Sequence, residues 1–181
     1  MSDAAPSNGP VLAEETVVVP AVAGQLAALH AALARFWQAA GRTLARPPNT
    51  AWRLRFETAV AEVGANVVRH AYPAGAAPGP MALRLRAYAD RVEARFADQG
   101  VAFVPPLQAT IGAAATIVET PFAGCGLALA FPAAPPTAPA ADLSTLPEGG
   151  YGLALVRAAV DELVYARTPG GENQWRLVKR F

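Results

Sequence analysis

Residues 56–72, FETAVAEVGANVVRHAY, constrain the fold of this chain more than any other stretch. At about 100° per residue, the angular step of an α-helix, four apolar side chains fall within one narrow arc: Phe56, Val60, Val63 and Val67. Glu62, Asn66 and Arg69, at positions i, i+4 and i+7, form a second stripe along its border. A helix that only packs places its charges opposite the apolar arc. This helix is therefore predicted to hold a carboxylate and an amide at the edge of the core, where a partly dry site would lie.

The overall composition predicts one globular domain and indicates no anionic macromolecular partner. The chain has 181 residues, of which 53% are hydrophobic and 16% charged, which is enough to build one core. Its formal net charge is +1, and no block of Lys or Arg interrupts the sequence. Neither nucleic acid nor a membrane surface is therefore expected as a partner.

Two further features favour a cytoplasmic protein. Cys125 is the single cysteine and cannot form an internal disulfide, and the first residues, MSDAAPSNGP, lack the basic and apolar segments of a signal peptide. The uncharged runs at 99–118 and 120–141 approach the length of a membrane span, about 20 residues. Proline and glycine interrupt both runs, so a spanning helix is not expected.

The N-terminal part of the chain predicts a tail, one strand and one helix. Residues 1–14 are small and polar, which is typical of a flexible tail. A β-branched run at 16–19, closed by a proline, predicts an edge strand. Apolar residues at helical spacing over 22–40 predict a helix that ends at Gly41.

The next part predicts a capped helix followed by a β-hairpin. Asn49 or Thr50 can cap the helix that carries the 56–72 stretch. Alternating runs at 81–89 and 92–97 predict the two strands of the hairpin. One face is expected to be buried, with Leu83, Leu85, Val92 and Phe96. The other is expected to face solvent, with Arg84, Arg86 and Arg95.

The remaining chain predicts a long insertion and a return to regular structure. Residues 104–147 are rich in Ala and Pro, and loops above about 12–15 residues are usually lids, binding loops or disordered. A helix is predicted from Leu153, with strands at 163–166 and 174–179. We expect a two-layer α/β sandwich, with a mixed, mainly antiparallel sheet and helices on one face, over residues 15–181.

Three clusters could carry chemistry, and the first lies on the second helix. Glu62 and Asn66 could form an ordinary solvated helix face. They could instead form a site in which the Asn66 amide oxygen binds a hard cation such as Mg²⁺, while Glu62 orients or deprotonates a hydroxyl group or water. Arg69 and His70 could bind phosphates, or could only stabilise the C-terminal end of the helix.

The second cluster is Asp98-Gln99-Gly100, at the end of the hairpin. It could be a simple turn that ends a strand. An aspartate at this place could also accept a hydrogen bond from an exocyclic amine, and Gly100 would let the backbone approach a flat ring closely. Taken alone, the motif does not separate these two interpretations.

The third cluster is Gly149-Gly150-Tyr151-Gly152, immediately before a predicted helix. It could be a flexible hinge. Glycines at a helix N-terminus can also expose backbone N–H groups to a phosphate at the favourable end of the helix dipole. The segment is neither the dinucleotide-binding fingerprint nor a Walker phosphate loop, because it lacks a directly preceding strand and the loop lysine.

The order of the three clusters resembles a known family. A Glu…Asn helix, an Asp-x-Gly strand end and a Gly-x-Gly helix start resemble the N, G1 and G2 boxes of the histidine-kinase-like ATPases, the Bergerat fold. EVGANVVRHAY, followed by DQGVAF and EGGYGLALVRAAVDELVY, closely resembles the small anti-sigma factor serine kinases. The resemblance covers residues 16–103 and 147–181, whereas the segment between G1 and G2 is longer than in that family.

This resemblance implies an ATP site with Mg²⁺. It implies that Glu62 is the catalytic base, Asn66 the Mg²⁺ ligand and Asp98 the residue that binds adenine. The remaining nucleotide-binding residues that it implies are Gly100 in the adenine pocket, the phosphate-binding glycines Gly149, Gly150 and Gly152, and, at the end of the N box, Arg69 and His70.

The resemblance also implies a function. Members of the family transfer the γ-phosphate of ATP to a serine of a STAS-type antagonist protein, many of them hold a sigma factor inactive, and dimers are expected. A different class of function is a non-catalytic module in which ATP or ADP sets the shape of a protein-docking surface, which the long 104–147 segment favours. A scaffold that binds no nucleotide is a third interpretation and requires all three boxes to be coincidental.

Overall fold

A computed structural model describes residues 9–73, 75–104, 115–119, 122, 125, 127–132 and 152–181. Its helices and strands follow the chain in the order β1 (Ala13–Pro20), α1 (Leu26–Thr43), α2 (Thr50–His70), β2 (Pro80–Ala87), β3 (Arg91–Asp98), β4 (Thr116–Glu119), β5 (Leu127–Phe131), α3 (Gly152–Ala159), β6 (Glu162–Arg167) and β7 (Asn173–Arg180). The 1–14 tail lies partly outside the described residues.

The described strands form one sheet in the order β1-β2-β3-β7-β6-β5-β4, and every pairing among them is antiparallel. The three α-helices share one hydrophobic core with a single face of this sheet, where Leu33, Phe56 and Val156 pack with side chains such as Leu85 and Phe96. The predicted two-layer α/β sandwich with helices on one face is therefore confirmed, whereas the parallel pairing that a mixed sheet requires does not occur among the described strands. Because β1 pairs with β2 alone, it is an edge strand, as expected.

Helix α1 differs from its sequence-based prediction at both ends. A short 3-10 turn, Ala23–Gln25, precedes it, and the helix continues through Gly41 to Thr43. The prediction that it ends at Gly41 is wrong. A glycine that ends a helix usually adopts a positive φ angle, but among the described glycines this conformation occurs at Gly75 and Gly171. Instead, the amide of Leu44 donates to the Ala40 carbonyl at 2.9 Å, and both side chains are buried, which holds the last turn.

Helix α2 is capped and packed so that its polar stripe has a defined direction. The Asn49 side chain accepts a hydrogen bond from the Trp52 amide at 2.9 Å, which confirms the predicted cap. Gly64 costs the helix about 1 kcal/mol relative to alanine, but a Cβ there would lie 2.6 Å from Leu29 Cδ1 and 3.6 Å from the Phe96 ring. The glycine therefore lets α1 and β3 approach this side of α2. None of the described helices is both long enough and apolar enough to cross a membrane.

Two strands lie within the described parts of the 104–147 segment. β4 pairs with β5, and β5 pairs with β6, so both extend the main sheet. Phe122 and Cys125 are buried beside Ala128, Val164 and Ala166 on the sheet face that points away from the helices. The rest of the segment lies outside the described residues.

That outer face also buries a network of ion pairs. The Glu93 side chain is only 1% exposed and lies 2.7 Å from Arg95 and 2.6 Å from Arg176, which also contacts Glu162 at 2.8 Å. Arg95 is half-buried rather than solvent-facing, because it binds Glu93 and its guanidinium lies over the Phe122 ring. Burial opposes ionisation of Glu93, but the hydrogen bonds and charges of the two arginines outweigh it and lower the pKa of its carboxyl below the ordinary 4.5.

We expect Glu93→Gln to lower the free energy of unfolding by about 2–3 kcal/mol at neutral pH, since it removes the shared partner of two arginines. A lowered pKa stabilises the fold above the unfolded-state value and loses that effect as pH falls through the folded-state value. The difference between wild type and variant should therefore be constant above about pH 5 and shrink at more acidic pH. Urea unfolding at pH 7 and at successive acidic pH values measures it.

Glu14→Gln is the matched control, because Glu14 pairs with Arg86 at 2.6 Å but its side chain is 41% exposed. Its loss should be about 0.5 kcal/mol or less. Equal losses in the two variants, or a Glu93 effect that grows towards acidic pH, would contradict the assigned role of the buried pair.

Candidate functional site

A pocket of about 400 Å³ lies between α2, the start of α3 and the adjacent ends of β3 and β7. Its polar lining residues are Asn66, Arg69, His70, Asp98 and Asn173. Its apolar lining includes Val63, Val67, Phe103, Leu153 and Trp175. An apolar pocket with a few converging polar groups is typical of a small-molecule site.

The polar stripe of α2 reaches the N-terminus of α3. A Cβ placed on Gly152 would lie 2.7 Å from Glu62 Oε2, 3.5 Å from Asn66 Nδ2 and 3.7 Å from Asn66 Oδ1. The i and i+4 spacing puts both side chains on the same side of α2, and the burial of Val63 and Val67 in the core directs that side towards α3. Glu62, Asn66 and Gly152 are thus brought together, as the sequence predicts.

Helix α3 presents its N-terminal end to this site. Leu153 and Val156 are buried and anchor the helix on the core. The first N–H groups of a helix have no acceptor within it, and they carry the positive end of the helix dipole. This end of α3 therefore suits a negatively charged group. Gly149 and Gly150, predicted to bind phosphate, lie outside the described residues.

Asp98 is the last residue of β3 and lines the pocket where this strand ends. Its side chain is 3% exposed, and Oδ1 accepts hydrogen bonds from the Gly100 amide at 2.9 Å and from Asn173 Nδ2 at 2.8 Å. Burial raises the pKa of the Asp98 carboxyl, although these two hydrogen bonds oppose the shift.

The second carboxylate oxygen, Asp98 Oδ2, has no hydrogen-bond donor among the described residues. Among the described residues, Trp37 Nε1 is the fully buried side-chain polar atom that lacks a hydrogen-bond partner, and Asp98 Oδ2 is not such an atom. Oδ2 is therefore not fully buried. Because Asp98 lines the pocket, this oxygen can accept a hydrogen bond from a ligand there.

Gly100 has a structural reason to be glycine. A Cβ on it would lie 2.5 Å from the Ala71 Cβ and closer still to the Ala71 carbonyl oxygen. The amide of Val101 donates to that same oxygen at 2.7 Å. Gly100 thus lets the chain cross the end of α2 and keeps the Asp98 turn beside the pocket. Its predicted approach to a flat ring stays a prediction.

Arg69 and His70 lie in the last turn of α2, and both are exposed and line the pocket. Neither has a hydrogen-bond or ion-pair partner among the described residues. Their place is compatible with binding an anionic ligand and also with stabilising the negative end of the α2 dipole.

Sequence reasoning missed Asn173, Tyr165 and Arg167. Asn173 is 2% exposed and is the register partner of Asp98 across β3 and β7, while Tyr165 and Arg167 both donate to its Oδ1. No local pattern marks these residues, because Asn173 and Asp98 are 75 positions apart and meet only when the two strands pair. The conspicuous sequence signal near Asn173 was the turn at Gly170 and Gly171, which precedes β7 but does not indicate a site.

The side-chain oxygens that α2 places near the start of α3 suit Mg²⁺. Mg²⁺ prefers oxygen ligands, and it usually binds one or two protein groups together with phosphates and water. The Asn66 amide oxygen and the Glu62 carboxylate, both near the start of α3, supply oxygens of that kind. The described residues contain no cluster of three or more His, Cys, Asp or Glu side chains able to hold a metal. Phosphate oxygens and water would therefore have to complete the coordination.

The comparison with known families agrees with this geometry. The chain matches the family model described as the histidine kinase-like ATPase domain over residues 22–179. No curated protein sequence matches the chain significantly. The family match spans α2, the Asp98 turn and the start of α3, which together surround the pocket. The chain therefore belongs to the histidine kinase-like ATPase domain family, the ATP-binding fold expected from its three sequence boxes.

Proposed function

We propose that this protein is an ATP-binding anti-sigma regulatory factor that acts as a serine kinase on a STAS-type antagonist protein. The observation that carries the proposal is the position of the Glu62 carboxylate, next to Asn66 and the N-terminus of α3. The end of a helix that suits phosphate and a carboxylate that could accept a proton lie side by side. Nucleotide binding alone requires the helix end but not the carboxylate.

At the base end of the pocket, Asp98 Oδ2 accepts a hydrogen bond from the exocyclic amine of adenine, and the apolar lining receives the flat ring. Phe103 and Trp175 lie there with ring centroids 4.9 Å apart. The nucleotide is held so that its phosphates extend towards α3, where the N-terminal N–H groups and the helix dipole stabilise negative charge.

At the phosphate end, Glu62 accepts the proton of the attacking serine hydroxyl as the serine oxygen bonds to the γ-phosphorus and the bond to the ADP oxygen breaks. The products are a phosphoserine on the partner and ADP. Bound Mg²⁺, with Asn66 Oδ1 as its protein ligand, would offset phosphate charge. Catalysis on this scheme depends on positioning and electrostatics rather than on a covalent enzyme intermediate.

The test has two steps. Calorimetric titration of ATP into the purified chain, with and without Mg²⁺, should show saturable binding that Mg²⁺ strengthens. ATP labelled at the γ-position is then incubated with the chain and a panel of purified STAS-domain proteins from the same organism. We expect label on a serine of one partner. Binding without transfer would instead support a switch in which nucleotide only shapes a docking surface, and no binding at millimolar ATP would overturn the nucleotide site itself.

A further inference from the structure

The side chain of Asn173 is tied into the protein at every hydrogen-bonding position. Its Nδ2 donates to Asp98 Oδ1 at 2.8 Å, to the Val101 carbonyl at 3.0 Å and, at 3.3 Å, to the Gly100 carbonyl. Its Oδ1 accepts from the Tyr165 hydroxyl at 2.8 Å and from Arg167 Nη1 at 2.6 Å. An amide has two hydrogens to donate and two lone pairs to accept with. Asn173 therefore has no capacity left for a ligand.

The orientation of this amide follows from its donors. Arg167 can only donate, so the atom of Asn173 that faces it must be the oxygen. The Tyr165 hydroxyl accepts from the Phe103 amide at 2.9 Å and directs its own hydrogen to the same Asn173 oxygen. Nδ2 must then face Asp98. The Asp98 carboxylate consequently has Oδ1 occupied by two donors and Oδ2 available to the pocket.

A carboxylate with one available oxygen distinguishes between purine bases. Adenine presents one exocyclic amine beside a ring nitrogen that is an acceptor, so a single carboxylate oxygen satisfies its donor. Guanine presents two adjacent donors, N1–H and the 2-amino group, which match both oxygens of a free carboxylate. Because Oδ1 is occupied, one guanine donor would have no partner in a pocket that is partly shielded from water. An unsatisfied donor of this kind weakens binding.

We propose that Asn173 is a positioning residue that sets the base preference of this site. By occupying Asp98 Oδ1, it restricts the carboxylate to one hydrogen bond with the ligand and so selects adenine over guanine nucleotides. This inference rests on the proposed nucleotide site and deepens it. It does not depend on phosphoryl transfer.

The test compares the affinities of ATP and GTP, by calorimetry, for wild type, Asn173→Leu and Gln174→Ala. Wild type should prefer ATP. Asn173→Leu keeps the approximate shape but frees one acceptor position on Asp98, so the ratio of ATP to GTP affinity should fall by about tenfold or more. Gln174→Ala changes the next residue of β7, whose side chain does not line the pocket, so its ratio should match wild type.

Asn173 is buried, so thermal unfolding without ligand is measured for each variant. If Asn173→Leu does not fold, Asn173→Ser replaces it. One hydroxyl hydrogen cannot serve the three acceptors that the amide serves, so the ratio of ATP to GTP affinity should again fall. An unchanged ratio in a folded Asn173 variant overturns the proposal, as does equal affinity of wild type for the two nucleotides. If wild type binds neither nucleotide, the proposed function itself fails, which is a distinct result.

Discussion

Glu62→Ala should abolish phosphoryl transfer to the serine partner while ATP still binds. The Glu62 carboxylate lies against the start of α3, whereas Asp98 and the apolar side chains proposed to bind the base line the pocket. A positioned general base contributes about 10²- to 10⁴-fold to rate, so transfer should fall by at least that range. Initial rates of label transfer at saturating ATP, together with calorimetric ATP affinity, separate the two effects.

Glu57→Ala is the matched control, because Glu57 lies on the same helix but five positions earlier, outside the polar stripe. This variant should transfer phosphate at the wild-type rate. Persistent transfer by Glu62→Ala would remove Glu62 as the base. Loss of ATP binding in that variant would instead place Glu62 among the nucleotide-binding groups and leave the identity of the base open.

Asn66→Ala should remove the effect of Mg²⁺ on ATP affinity. Asn66 Oδ1 lies beside the start of α3 and is the amide oxygen available to a hard cation at that end of the pocket. Loss of a residue that merely supports a metal ligand costs about 10- to 100-fold in metal affinity, and loss of the ligand itself should cost at least as much. We expect weaker ATP binding in the presence of Mg²⁺ and little change in its absence, measured by calorimetry with and without EDTA.

Asn49→Ala controls for any general effect on α2, since Asn49 caps the same helix away from the pocket. It should lose about 1 kcal/mol of stability and keep the full Mg²⁺ effect. If Asn66→Ala binds ATP with the wild-type dependence on Mg²⁺, Asn66 is not the metal ligand.

The predictions from sequence succeeded where local contacts decide the structure. The apolar arc of α2, its asparagine cap and the alternation of β2 and β3 all depend on residues a few positions apart, and each was confirmed. The end of α1 was mispredicted at Gly41, because burial of Ala40 and Leu44 favours a further turn of helix over a stop at glycine. β4 and β5 were not predicted, since their short runs, TIVE and LALAF, become strands only when β5 pairs with the edge at β6 and β4 pairs with β5.

For the candidate site as well, local sequence predicted some features and only the packed structure decided others. Glu62, Asn66, Asp98 and Gly152 could be selected because each lies in a short motif with a chemical meaning. Only the packed structure brings Glu62 to the start of α3 and places Asn66, Asp98 and Gly152 around one pocket. Asn173 could not be selected, because an isolated asparagine at the start of a strand carries no local signal.

By itself, the sequence determined which segments form α2, the hairpin and α3, and which of their side chains are polar at the edge of an apolar arc, since these depend on helical and strand periodicity. The tertiary structure decided that β3 and β7 pair in the register that joins Asp98 to Asn173. It also decided that Gly64 and Gly100 permit close contacts with Leu29 and Ala71. These features depend on contacts between residues far apart in the chain, which form only when the whole core packs.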